Sequence, residues 1–258
     1  MLTEVNFRIR FIKLALELLE KLFFTSKLFK ALRPLSQNLQ INCDDFILVD
    51  VGANKAQNWK IINKLFKVRN SILIEPNENL HQSIQQCLKN HTYSIINTCL
   101  TNYNGFIEFY YSNFDLTSSI IKPNPKSDYG SLKKRILGNG YKTIAVKKSC
   151  STMDTLMSDL KIYFIDYLKI DVEGAELQVL EGAIGLIRAS RIGIIQLEIH
   201  ENDMRNISKD EIIILLQKHK YFLYKTVRHS FGNFSEFIFL SENYKNLLFR
   251  NETINSFR

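Results

Sequence analysis

The stretch Phe46-Ile-Leu-Val-Asp-Val-Gly-Ala-Asn54 constrains this chain most tightly. Its apolar run is too short for an ordinary helix and ends at Asp50 and Gly52. That pattern predicts a buried parallel strand, a sharp turn, and a helix beginning near Lys55 to Trp59. Gly52 can take backbone angles closed to other residues, and without a side chain it lets a ligand approach the main chain. Asp50 stands at the carboxyl end of the strand, where open α/β sheets bind ligands. The pattern recurs at Ser71-Ile-Leu-Ile-Glu75 and at Tyr167-Leu-Lys-Ile-Asp171. Three apolar strands ending in carboxylates place those carboxylates along one crevice.

The rest of the chain fits the same architecture. Helices are expected over 57–66, 80–89, 153–160, 176–187 and 208–218, and further strands over 93–96 and 192–198. Residues 106–111 alternate and are aromatic, so they read as β. Residues 113–140 form a polar excursion with a short helix near 132–137, and 143–147 is another short strand. Segments 221–227 and 237–240 read as a terminal antiparallel hairpin. The sum is an α/β, doubly wound, mostly parallel sheet. An N-terminal helical extension over 1–40 ends its helical run at Pro34. The main domain covers 41–245 with an insertion at about 111–150, and 246–258 form a tail.

Charge is unevenly placed. Of the formal net +8, the segment from Ile120 to Cys150 carries +7: eight basic side chains against Asp128 alone. An anionic partner follows from that excess, namely an acidic glycan, a membrane surface or nucleic acid. Solvated loop lysines are the plain reading of any single one. The run Phe11 to Phe24 is broken by Lys13, Glu17, Glu20 and Lys21, so it is neither a signal peptide nor a membrane span. It reads as a helix that packs on the domain first, with homodimerisation or peripheral membrane contact as its other uses. Cysteines 43, 87, 99 and 150 are scattered and lack zinc spacing. A cytoplasmic, reducing location is expected, peripheral to a membrane if the N-terminal helix binds one.

The strand-end residues suggest chemistry. A carboxylate after strand two suits the paired hydroxyls of a ribose, in NAD or in S-adenosylmethionine. The turn at Gly52 lacks the G-x-G-x-x-G of a pyrophosphate cradle, which disfavours NAD. Asp171 and Glu173 in Asp171-Val-Glu-Gly-Ala-Glu176 can polarise an acceptor hydroxyl or hold a hard metal, though no motif demands a metal. Glu176 is explained by the helix dipole. Glu198 joins the rim, with His200 as a candidate base.

With these residues in place, the sequence resembles the FkbM family of class I S-adenosylmethionine-dependent methyltransferases. The resemblance rests on Val49-Asp-Val-Gly-Ala-Asn54, Glu75-Pro76, Thr152-Met-Asp-Thr-Leu156, Leu168-Lys-Ile-Asp-Val-Glu-Gly-Ala-Glu176, Val179-Leu-Glu-Gly-Ala183 and Ile195-Gln-Leu-Glu198. It implies a Rossmann-like seven-stranded sheet and S-adenosyl-L-methionine as cofactor. It also implies O-methylation of a hydroxyl on a sugar, glycan or related natural product. Carried over, Asp50, Gly52 and Asn54 line the methionine side, Glu75 binds the ribose, and Asn97 to Cys99 border the adenine. Asp171 and Glu173 face the methyl-transfer site, and Ser118-Ser119 shape the acceptor pocket. Lys55 stands where a glycine commonly follows Ala-Asn; it either starts the helix harmlessly or obstructs the methionine end. The alternatives are a nucleic-acid 2'-O-methyltransferase and a degenerate binding subunit. The Asn/Asp-Pro-Pro-Tyr/Phe motif of base amino-methylating enzymes is absent.

Overall fold

The computed structural model describes residues 25–39, 45–112, 118–122, 143–200, 209–229 and 234–255, without the side chains of His200 and 251–255. Its main element is a seven-stranded sheet in the order β3-β2-β1-β7-β8-β10-β9. Strands β1 (Ile47–Val51), β2 (Asn70–Ile74), β3 (Thr92–Ile96), β7 (Ile165–Ile170) and β8 (Ile192–His200) are parallel. The terminal hairpin is antiparallel: β10 (Phe234–Ser241) inserts between β8 and β9 (Tyr221–Arg228).

Alternating side chains build two cores, one on each face of the sheet. On one face Leu48, Tyr167, Ile194 and Ile238 pack under helices α1 (Thr25–Asn38), α2 (Gln57–Phe66), α3 (His81–Cys87) and α8 (Glu242–Asn255). On the other, Val49, Leu168, Ile195 and Phe237 pack under α4 (Met153–Asp159), α5 (Glu176–Glu181), α6 (Ile184–Arg188) and α7 (Lys209–Lys218). Helices on both faces make the sheet doubly wound.

Three expectations shift. Pro34 does not end α1, which continues to Asn38. An interior proline costs about 3 kcal/mol, but Leu35 and Leu39, just beyond it, are both buried, at roughly 1.5–3 kcal/mol per side chain. The single helix expected over 176–187 divides into α5 and α6 at Gly182 and Ala183, where the Asp154 N–H donates to the Gly182 carbonyl at 2.9 Å and the Asp154 carboxylate caps α6 by accepting from the Gly185 and Leu186 N–H groups. The segment taken as a tail contains most of α8, whose Tyr244 donates to Asp166 Oδ1 at 2.8 Å.

Residues 99–151, which include the expected insertion and the chain leading into it, contribute a separate three-stranded sheet, β4-β6-β5, from Cys99–Leu100, Thr143–Ser151 and Gly105–Ser112. Tyr111 anchors it to the main domain by donating to the Pro76 carbonyl at 3.0 Å. The helix expected near 132–137, Ser208 at the start of the helix expected over 208–218, the run Phe11 to Phe24, and basic residues Lys126, Lys133, Lys134, Arg135 and Lys142 lie outside the described residues. Among the described residues no helix is long and apolar enough to cross a membrane.

Candidate functional site

The mouth of the parallel strands opens into a cleft of about 410 Å³, part of it open to solvent. Gly52, Glu75, Thr98, Cys99, Ser118, Ser119 and Asp171 are on its wall. It is therefore shared by the main sheet and the inserted one.

Glu75 stands just past β2 and is only 5% exposed. Its Oε2 accepts from the Asn54 backbone N–H and its Oε1 from that of Asn77, both at 2.8 Å. A carboxylate oxygen can accept more than one hydrogen bond, so this anchoring leaves capacity for ligand hydroxyls. Burial pushes the Glu75 carboxyl up to about 7, against the two backbone N–H groups that pull it down.

The turn after β1 shows why its glycine is needed. Gly52 has φ +75°, and a β-carbon on it would lie 1.9 Å from the Asp171 carbonyl oxygen. The close neighbour is therefore the end of β7, in addition to any ligand. Asn54 (φ 48°) and Ala56 (φ 58°) are also left-handed, whereas Lys55 between them is not. Position 55 thus has no conformational need for glycine. The Lys55 N–H donates to Gln57 Oε1 at 3.2 Å, and Lys55 is not part of the cleft wall.

On the face that carries Leu48, Tyr167 and Ile194, the side chains turn polar towards the strand mouths. Two residues along each strand come Asp50, Lys169 and Gln196; on β10 the register partner of Gln196 is Ile238, and Glu236 lies on the same face one step further along, opposite Glu198. Lys169 pairs in register with both Asp50 and Gln196. It is wholly buried, and its ammonium donates to both oxygens of Glu236 at 2.9 and 3.0 Å. It also lies 3.7 Å from Asp171 Oδ2. Gln196 Nε2 donates to Glu236 Oε2 at 3.0 Å, and the Tyr167 hydroxyl donates to Gln196 Oε1. Burial pulls the Lys169 ammonium down, but Glu236, Asp171 and Glu198 more than offset it and hold it above its ordinary value. Burial pushes Glu236 up, yet Lys169 and its other partners bring it down to about 2.

Asp50 differs from these neighbours. It is 1% exposed, and neither carboxylate oxygen has a hydrogen-bond partner. Burial pushes it up to about 7, opposed by Lys169 and assisted by Asp171 and Glu75. An unpartnered buried carboxylate beside the cleft fits a ligand that carries positive charge.

Just past β7, Asp171 and Glu173 are partly buried, and Glu173 takes a left-handed backbone with φ 58°. The Ser119 hydroxyl holds this loop against the Val172 and Glu173 carbonyls, at 2.9 and 3.1 Å, and accepts from the Ile121 N–H. Ser118 accepts from the Ser112 N–H at 3.1 Å. Glu176 accepts from the Val172 and Gly174 N–H groups, a structural cap. Glu198, His229 and Glu236 place possible metal-ligand atoms within 4.8 Å of one another. An ion there would share Glu236 with the Lys169 ammonium. Burial raises Glu198 well above the carboxylate range, with Asp171 adding to it, and lowers His229.

The structure therefore brings Gly52, Glu75 and Asp171 to one cleft, with Asp50 and Asn54 behind its wall. Asn97 is exposed and donates to Glu78 at 2.7 Å beside Lys148; Thr98, Cys99 and Leu100 line the cleft in its place. The His200 side chain lies outside the described residues. Lys169, Gln196, Glu236 and His229 were not anticipated. The available signal was polarity inside an apolar strand: a lysine between Leu168 and Ile170, and a glutamate before Phe237.

The model of the methyltransferase FkbM domain matches residues 50–223, about two thirds of the chain. Among solved structures, a methyltransferase FkbM from Methylobacillus flagellatus is similar with TM-score 0.52 and 14% identity. The match covers 76% of this chain and 44% of that one, so this chain spans less than half of that relative. An rRNA methylase from Streptococcus thermophilus aligns at TM-score 0.45 and 10% identity, over 81% of this chain and 92% of that one. TrmK from M. capricolum, in complex with S-adenosyl-homocysteine, aligns at 0.42 and 9%, over 81% and 67%. No curated protein matches the sequence significantly.

Proposed function

Since this chain belongs to the FkbM methyltransferase domain family, whose methyl donor is S-adenosylmethionine, we propose that it O-methylates a hydroxyl of a sugar, glycan or related natural product. The observation that carries this reading is Asp171. Its carboxylate sits on the same cleft that Glu75 borders, 3.7 Å from a buried ammonium that compensates its charge. A sugar hydroxyl is a weak nucleophile, and a carboxylate within reach of it assists by accepting its proton as the new bond forms.

When bound, S-adenosylmethionine supplies an electrophilic methyl group on a positively charged sulfur. Glu75, fixed by two backbone N–H groups, accepts hydrogen bonds from vicinal ribose hydroxyls. Asp50 offers negative charge with no competing hydrogen bond. Asp171 orients the acceptor hydroxyl and takes its proton, and the Lys169 ammonium keeps the carboxylate in place. Ser119 holds the Val172–Glu173 backbone, which fixes the distance between acceptor and donor; such alignment is a large part of catalysis in bimolecular transfer.

The test is incubation with methyl-labelled S-adenosylmethionine and separate panels of neutral saccharides, acidic glycans and RNA. Label on a saccharide oxygen supports the proposal. Label on an RNA 2'-hydroxyl would replace it with the nucleic-acid reading. No transfer by a protein that binds the cofactor product would favour a binding subunit.

A further inference from the structure

Two of the described cysteines meet where the inserted sheet joins the cleft. Cys99 in β4 and Cys150 in β6 are register partners in parallel pairing. Paired residues of adjacent strands direct their side chains to the same face, and the strands lie about 4.8 Å apart. That spacing falls within the Cα separation a disulfide spans, roughly 4.4–6.8 Å. Both thiols are free, and both are buried against Phe109 in the small core of the inserted sheet, at 3% and 5% exposure. On its other side Cys150 pairs with Gly105, which has no side chain. Cys99 is the natural partner for Cys150, and Cys99 also lines the cleft.

We propose that Cys99 and Cys150 form an oxidisable dithiol, closed to a disulfide by a small two-electron oxidant such as hydrogen peroxide, and that closure weakens cofactor binding. The coupling half of this inference rests on the cofactor occupying the cleft beside Thr98, Cys99 and Leu100.

Cys150 is the thiol that reacts first. Burial raises it, but contacts with the Tyr103 hydroxyl and the Gly105 backbone N–H pull the other way. Burial pushes Cys99 up to about 12. Peroxide transfers one oxygen to the Cys150 sulfur, giving a sulfenic acid and water. The Cys99 sulfur then attacks that sulfur, and the hydroxyl leaves as a second water. Two thiols are oxidised and one peroxide is reduced, with no other reactant. The new bond fixes the Cys99 side chain to β6, and Thr98 is tied to the same strand by its hydroxyl, which donates to the Ser149 carbonyl at 3.0 Å. The adenine side of the cleft changes shape as a result.

The experiment has two arms on the full chain. Peroxide-treated protein is digested without reduction and mapped by mass spectrometry, with and without S-adenosylhomocysteine during treatment. The treated, untreated and re-reduced proteins, together with Cys150→Ser, are then titrated with S-adenosylhomocysteine. A Cys99–Cys150 cross-link is expected, formed more slowly when the ligand is present. Affinity falls about tenfold, a loss of about 1.4 kcal/mol, and returns on reduction, while Cys150→Ser keeps its affinity after peroxide. Absence of the cross-link, or a cross-link with unchanged affinity, overturns the proposal. If the untreated protein binds no S-adenosylhomocysteine, the cofactor reading fails in the titration, whereas the peptide map still decides whether the dithiol exists.

Discussion

Asp50→Asn removes a carboxylate that is buried without any hydrogen-bond partner, and the effect on stability depends on pH in a calculable way. Burial raises the folded-state value from 3.8 to about 7. A carboxyl raised in the fold contributes stability that is complete below its unfolded value and is lost as pH rises through its folded value. Between pH 5 and pH 8, linkage over this interval costs the wild type about 2.5 kcal/mol. The asparagine variant carries no such cost. Its own unpaired amide is penalised equally at both pH values, so the difference of differences isolates the ionisation. Urea unfolding of both proteins at pH 5 and pH 8 measures it. The variant gains about 2.5 kcal/mol on the wild type over that interval, or about 5–10 °C in melting temperature for a domain of this size. An equal stability difference at the two pH values would refute the buried, unpartnered state assigned to Asp50.

Three further perturbations probe other parts of the account. Lys169→Met leaves Glu236 buried without its cation and destabilises by about 3–5 kcal/mol near neutral pH. Lys169→Met/Glu236→Leu recovers most of that loss in the same denaturant titration. Ser119→Ala removes the hydroxyl that holds the Val172 and Glu173 carbonyls, at about 1–2 kcal/mol, and hydrogen exchange should quicken locally at 172–174. Lys67 is exposed at the left-handed C-cap of α2 with φ 51°. Lys67→Gly relieves that conformation, and thermal melts should show a gain of about 0.5–1 kcal/mol.

Element types were readable where period and punctuation agreed. The helix over 57–66 and the parallel strands ending near Asp50, Glu75 and Asp171 follow from short apolar runs closed by turn residues. The two failures in helices have one cause, since contacts distant in sequence decided them. Burial of Leu35 and Leu39 beyond the proline carries α1 through Pro34, and Asp154 takes the Gly182 carbonyl and caps α6. The site divides similarly. Glu75 and Asp171 were legible because strand ends converge in any parallel sheet. Lys169 and Glu236 were visible only as exceptions inside apolar strands, and β10 had to be placed beside β8 before they could be seen to pair. Of the run Asn97 to Cys99, Thr98 and Cys99 line the cleft and Asn97 is exposed.

Glu75 is the residue on which cofactor binding most directly depends. The decisive measurement is calorimetric titration of S-adenosylhomocysteine into wild type and Glu75→Ala at pH 8, with both proteins verified as folded by their thermal melts. Lost hydrogen bonds to a charged carboxylate are worth about 1.5–3 kcal/mol each, so a single-site isotherm in the wild type and a loss of at least about tenfold in the variant are predicted. Equal affinity in the two proteins, or no binding by folded wild type, would contradict the central claim.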